Sequence, residues 1–333
     1  MRKSGCAIVA LFLLLVASVF VNGVLLLGLG ARSATGLALE TAPVNYDEQL
    51  VLPAVNGDGG KIVVIPMDGV IAYNTPGSLG DSMVDDLKAA FRQAGDDPSV
   101  KAVVMTVNSP GGEITASDVI YHEIKKLRER KPVVYFMNSV GASGAYYAAC
   151  GANWVMCNET TFTGSIGVII STLNYRELFG KIGLDSIVFK SGKFKDMLNG
   201  SREVTPEEAA YVQGLVMQSY DKFVGIVAEA RGLDEGSLRS GVADGRILSG
   251  EDALRAKLVD QLGYIEDAYA KARELGAAPG AKIVAYKRNF SFGSVFQLLG
   301  EARGARKVEI DLLEGMPKLQ PGRIYLLPSF YAP

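Results

Sequence analysis

The run KAVVMTVNSPGGEITASDVIYHEIKKLRERKPVVYFM, residues 101–137, decides the fold. Lys101–Val107 is apolar after its first residue and rich in valine, which reads as a buried strand. Asn108-Ser109-Pro110-Gly111-Gly112 then supplies turn residues in sequence. A helical pattern runs from about Thr115 to Arg130, and Pro132–Met137 returns to an apolar strand. Strand, helix and strand in that order argue α/β architecture with parallel pairing.

The alternation continues outward from that run. Lys61–Pro66 reads as a strand and Ser82–Ala94 as an amphipathic helix; a short helix through Ala149 follows Met137. Further strands are expected at Trp154–Cys157, Ser165–Ile170 and Ser186–Phe189, with helices at Tyr175–Ile182, Pro206–Ala230, Gly250–Ala256 and Ile265–Leu275. The pattern occurs once, without an internal repeat. Asn289–Pro333 is less regular, with a candidate strand at Arg323–Leu327, and reads as a tail that can pack on the body or on a neighbouring subunit.

The amino terminus suggests location. Arg2 and Lys3 precede a charge-free stretch, Ser4–Ala31, whose apolar core spans the 23 residues Ala7–Leu29. As a helix these reach roughly 35 Å, enough to span a bilayer with some tilt. The expected organisation is a cytoplasmic start at 1–6, a transmembrane signal anchor at 7–30, a linker at 31–60, a catalytic body at 61–288 and the tail at 289–333. The break at Asn22-Gly23 leaves a cleavable signal peptide open. Basic residues at the start keep that end in the cytoplasm, so the body lies on the outer side of the cytoplasmic membrane. The formal charge of −2 gives no footprint for nucleic acid, and the three cysteines, Cys6, Cys150 and Cys157, make no disulfide framework. No cofactor and no metal are expected.

The chemistry turns on a serine without a histidine. Ser143 lies in Val140-Gly141-Ala142-Ser143-Gly144-Ala145-Tyr146, a small-residue elbow after a strand. The sole histidine of the 333 residues, His122, sits in a charged helical stretch where its ring most simply faces water. The hydrolase order of serine, acid, histidine is ruled out, because no histidine follows Ser143. A hydroxyl nucleophile needs a base, which here points to lysine. Lys195 and Lys193, in Lys190-Ser191-Gly192-Lys193-Phe194-Lys195-Asp196, are indistinguishable on composition. A lysine acting as base must be neutral, so its pKa has to fall from about 10.4 through burial or nearby cations. Gly111-Gly112 and Gly144 leave backbone N–H groups uncovered by side chains, as an oxyanion hole requires.

Five motifs in order carry a resemblance: Val107–Gly112, Gly141–Tyr147, Thr163–Val168, Lys190–Asp196 and Ala243–Arg246. Together they resemble the short, single-copy bacterial form of the signal peptide peptidase A (SppA-type) membrane serine peptidases, over about Lys61 to Tyr286. The resemblance implies a fold related to Clp protease and crotonases, built from repeated β-β-α units. It implies a Ser/Lys dyad with Ser143 as nucleophile and Lys195 as general base. Ser165 matches the serine that orients the lysine amine, and Gly112 and Gly144 match the oxyanion-hole donors. Implied partners are apolar peptides such as remnant signal peptides, the lipid bilayer and further copies of the chain in a homo-oligomer. Two other readings stay open: a crotonase-like enzyme acting on acyl thioesters, and an inactive membrane scaffold.

Overall fold

The computed structural model describes residues 45–55, 59–73 and 82–288, together with 14–16, 18–19, 21–22 and the backbone of 325–326. The chain divides into two units, Met1–Val44 and Asn45–Pro333. In the first, the described residues between 14 and 22 are helical. Most of the expected anchor and tail lies outside the described residues. Among the described residues, no helix is long and apolar enough to cross a membrane.

The second unit opens with β1 (Tyr46–Leu52), β2 (Lys61–Asp68) and α1 (Met83–Asp96). The run at 101–137 becomes β3 (Val100–Ser109), the two-residue β4 (Gly112–Glu113), α2 (Ile114–Arg128) and the start of β5 (Val133–Ala142). Next come α3 (Gly144–Ala149), β6 (Trp154–Cys157), β7 (Phe162–Gly164), α4 (Arg176–Ile182), α5 (Pro206–Arg231) and α6 (Glu235–Ser240). The unit closes with β8 (Ile247–Leu248), α7 (Gly250–Arg255), β9 (Gln261–Leu262), α8 (Ile265–Leu275), β10 (Lys282–Arg288) and β11 (Tyr325–Leu326).

The main sheet runs β1-β10-β2-β3-β5-β6-β9, with β7 on β5 and β8 on β7. Every pairing from β10 to β9 is parallel, as is β5 with β7; β1 and β8 pair antiparallel at the margins. The register sets Val63 beside Val103 and Val103 beside Val133, so alternate residues build two buried faces. Val63, Ile65, Val103, Met105, Val133 and Tyr135 face the larger core under α1, α2, α3 and the far half of α5. Ile62, Val64, Val104, Val134 and Phe136 face the smaller one, closed by Ala268 and Ala272 of α8. Burial on both faces is why these strands read as continuous apolar runs.

Three stretches differ from the sequence expectation. Tyr46–Leu52, within the stretch read as linker, forms the antiparallel edge strand β1. Ser165–Ile170 is not a strand; the sheet takes the preceding Phe162–Gly164 instead. Ser186–Phe189 forms no strand either, and Ile187 and Phe189 stand 79% and 94% exposed. Near the carboxyl end, β11 pairs antiparallel with β4, setting Tyr325 opposite Glu113 and Leu326 opposite Gly112.

Candidate active site

Ser143 occupies the joint between β5 and α3 with φ 55° and ψ −116°. A non-glycine residue there is strained and persists only when its surroundings fix it. The Ser143 N–H donates to the Gly164 carbonyl at 2.8 Å, and its own carbonyl accepts from the Tyr147 N–H at 2.8 Å. Below the elbow, the Tyr135 hydroxyl donates to the Ala145 carbonyl at 2.7 Å. The Ser143 side chain is fully buried, yet its Oγ has no hydrogen-bond partner among the described residues. A buried hydroxyl left unpaired costs stability, so in a native site it calls for a reason.

The glycine turn of β4 meets this elbow. A Cβ built on Gly144 would lie 2.4 Å from Ser117 Oγ and 3.1 Å from the Gly112 nitrogen. A side chain at position 144 would therefore collide with Ser117 and crowd the turn that carries the Gly112 amide. Gly111, at φ 99°, turns the chain into position. The Ile71 N–H donates to the Gly111 carbonyl at 2.8 Å and the Glu113 N–H to the Ile71 carbonyl at 2.7 Å. Ser117 Oγ donates to the Glu113 carbonyl at 2.9 Å, fixing the start of α2 beneath Gly144. That contact was not legible beforehand, because Ser117 is an ordinary residue of a helical pattern.

Ser165 is brought to the same place by the turn after β7. Gly164 and Ser165 take φ 72° and 50°, and the Ser165 N–H donates to the Arg246 carbonyl at 2.8 Å. Two distant motifs, Thr163–Val168 and Ala243–Arg246, thus meet beside the carbonyl that holds Ser143. Ser143, Gly144, Gly112 and Ser165 form one cluster. His122 is exposed on α2 and lies outside it.

Lys195 is not in that cluster. It stands exposed in the turn after Ser191, and among the described residues its Nζ makes no hydrogen bond or ion pair. Its neighbours are engaged: Lys193 pairs with Glu207 at 2.5 Å, and Lys190 with Asp196 at 2.7 Å. Arg202 joins Asp196 to Glu208, holding the Glu208 carboxyl down to about 2 and Asp196 well below the usual carboxylate range. Phe194 stacks on Tyr211 of α5 with ring centroids 5.3 Å apart. The whole turn is tied to the amino end of α5.

The other end of α5 is rooted near the elbow. Phe223, Val224 and Val227 are buried, and the Phe223 ring lies 5.0 Å from that of Tyr147 on α3. Tyr147 donates its hydroxyl to Asp118 at 2.6 Å; burial, then that carboxylate, push the phenol far above its ordinary range. The 15 residues from Glu208 to Phe223 span about 22 Å of helix. The Lys195 turn is tied to one end of this span, and the Tyr147 ring beside the Ser143 elbow packs on the other.

A strained, buried hydroxyl at a strand-to-helix elbow beside a glycine turn is an arrangement that α/β proteins use for acyl transfer. Residues 125–278 match Peptidase family S49. The chain is 36% identical over 233 residues to the Enterococcus faecium protein named "Putative signal peptide peptidase SppA", covering 69% of this chain and 67% of that one. A protease-named relative from Methanocaldococcus jannaschii is 36% identical, over 74% of this chain and 76% of its own. Protease 4 of Salmonella typhi is 36% identical over 69% of this chain and 37% of its own length. The chain belongs to peptidase family S49 and is a serine peptidase of the kind its SppA and Protease 4 relatives represent. The family resemblance carried by the five sequence motifs is met.

Proposed function

We propose that this peptidase is a membrane-anchored endopeptidase using a Ser143/Lys195 dyad assembled between neighbouring copies, and that it cleaves extended apolar peptides such as remnant signal peptides. The observation that carries this reading is a pair of complementary vacancies. Among the described residues, Ser143 Oγ is buried without a hydrogen-bond partner, and Lys195, at the far end of α5, is exposed without one. The surroundings of Lys195 also want cover: α4 has no buried residue, and Leu178, Ile182, Ile187 and Phe189 lie bare. Apolar surface of that kind on a soluble body marks a contact site. A second copy supplies the cover, and successive copies in a closed ring satisfy every site by symmetry.

The chemistry follows from the cluster. Ser143 Oγ adds to the scissile carbonyl carbon while its proton passes to the neutral Lys195 amine of the adjoining copy, held in line by Ser165 Oγ. The new oxyanion accepts from the Gly112 and Gly144 amides. Collapse breaks the C–N bond, and Lys195 returns the proton to the leaving amine. Water then attacks the acyl ester through the same base and restores Ser143. An extended substrate is supported by β4, whose edge beside Gly112 already accepts one extended segment, β11, as an antiparallel strand. Peptides bind sheet edges in the same manner. The anchor at 7–30 would hold this body against the outer face of the membrane, where apolar peptides collect. The same body is proposed as a variant of the Clp/crotonase fold.

The test is complementation. Chains carrying Ser143→Ala and chains carrying Lys195→Ala, differently tagged, are co-expressed and the mixed oligomers purified through both tags. Each variant alone is expected to be inactive. At equal mixing about a quarter of the sites join an intact Ser143 to an intact Lys195, so about a quarter of wild-type activity returns. Mixed oligomers without activity would overturn the shared site, and full activity in either single variant would overturn the dyad.

A further inference from the structure

We propose that Arg202 is a positioning residue for the peptidase reaction, clamping the Lys195 turn to the amino end of α5 so that the lysine is presented at one fixed height to the neighbouring copy. The inference rests on the reading of Lys195 as base.

The segment from Ser171 to Lys190 has almost no buried side chain, so no apolar core can hold it in shape. The Asp196 and Glu208 side chains are the exceptions nearby, only 9% and 4% exposed, and Arg202 lies between them. Its Nε and Nη2 donate to the two Asp196 carboxylate oxygens at 3.0 and 2.8 Å. Nη2 also donates to the Asp196 carbonyl at 3.1 Å. On the other side, Nη1 donates to Glu208 Oε2 at 2.9 Å, and Nη2 donates to Oε1. Glu208 in turn accepts from the Thr205 N–H at 3.0 Å, closing the capping box that starts α5.

One planar cation thus joins the residue after Lys195, through side chain and backbone, to the first turn of a helix whose far half is embedded in the core. Successive residues point opposite ways here: Asp196 turns in to the clamp while Lys195 turns out. A guanidinium meets both oxygens of each carboxylate from one plane; a lysine ammonium can bridge two carboxylates but is a point donor without that bidentate geometry. The cluster of Arg202, Lys190, Asp196 and Glu208 carries two charges of each sign, so it adds no net charge beside Lys195. Its contribution is geometry, and a misplacement of about 1 Å can cost on the order of 10²-fold in rate.

The experiment places Arg202→Ala in one or the other arm of the complementation. When the change is in the Ser143→Ala chain, which donates Lys195, the complemented kcat is expected to fall about 10- to 100-fold with KM little changed. The same change in the chain whose Lys195 is already alanine leaves the complemented rate near its starting value. Arg202→Lys, which keeps the charge and loses the fork, repeats the asymmetry if the alanine chain assembles poorly. Equal losses in both arms would reduce Arg202 to a structural residue, and no loss in either would remove the assignment. If the parent Ser143→Ala and Lys195→Ala pair is itself inactive, the shared-site reading fails instead. Arg202 is then judged in otherwise unaltered protein, where a wild-type kcat overturns the proposal and a selective kcat loss upholds it.

Discussion

Replacing Gly112 with alanine tests the amide cradle directly. The added Cβ would lie 1.9 Å from the Ile71 carbonyl oxygen and 2.6 Å from both the Ile71 carbonyl carbon and nitrogen. Comfortable carbon contacts fall at about 3.5–4.0 Å, so β4 must move away by roughly 1.5 Å. The Glu113 N–H to Ile71 carbonyl bond at 2.7 Å is the first casualty, and the Ile71 N–H to Gly111 bond at 2.8 Å is strained with it. Losing such bonds costs about 1 kcal/mol each. With Gly112 in its proposed role, the catalytic loss is larger, because a shift of that size takes its amide out of reach of the oxyanion. One missing donor costs about 10²–10³ in kcat, or about 2.7–4 kcal/mol. The oxyanion exists only beyond the ground state, so the loss belongs to kcat and leaves KM nearly unchanged. Steady-state cleavage of an internally quenched apolar peptide reads both constants, with thermal unfolding as the fold check. Gly214→Ala is the control: a Cβ there meets nothing within 4 Å on the exposed face of α5, and alanine favours helix by roughly 0.5–1 kcal/mol. A folded Gly112→Ala protein with wild-type kcat would refute the cradle.

Burial pushes the Cys150 and Cys157 thiols up to about 12, so both should stay inert to a thiol-exchange reagent at neutral pH until the protein is unfolded; rapid labelling of either in native protein would contradict their placement. The Arg202 clamp should survive mild acid. Its carboxyls are depressed in the folded state, so their contribution is complete above the ordinary glutamate range and is lost only as pH falls toward about 2. Hydrogen exchange of residues 191–208, corrected for intrinsic rates, should show protection retained at pH 5 and lost near pH 2.5; loosening already at pH 5 would count against the clamp.

Much of the body is legible from sequence because parallel strands buried on both faces leave unbroken apolar runs. Trp154–Cys157 and Ile265–Leu275 fall where the pattern puts them. Tyr46–Leu52 is different: with Asp47, Glu48 and Gln49 it carries polar side chains on a sheet edge, and such a strand looks like linker until β10 is there to pair it. Ser186–Phe189 fails for the opposite reason. Its apolar side chains read as buried, but among the described residues they stand exposed. At the site, the small residues around Ser143 announce an elbow, whereas its left-handed φ follows from the Gly164 carbonyl, contributed by another strand. Lys193 and Lys195 cannot be told apart locally. The distinction is made by Glu207, which engages Lys193 only once α5 has folded back on the turn.

The long helix α5 works as a ruler with a phase. One end is keyed to Tyr147 and the other to the Lys195 turn, so its residue count fixes both a distance and an azimuth. Adding a single residue between Glu208 and Phe223 would lengthen it by about 1.5 Å and swing the turn by about 100° around the axis. Adding four would nearly restore the azimuth but overshoot by about 6 Å. Neither error can be absorbed by a soft joint, since one end is packed and the other forked by Arg202. A substitution at the bare Gly214 leaves this rod's span untouched, whereas an insertion between Glu208 and Phe223 alters its length and phase together.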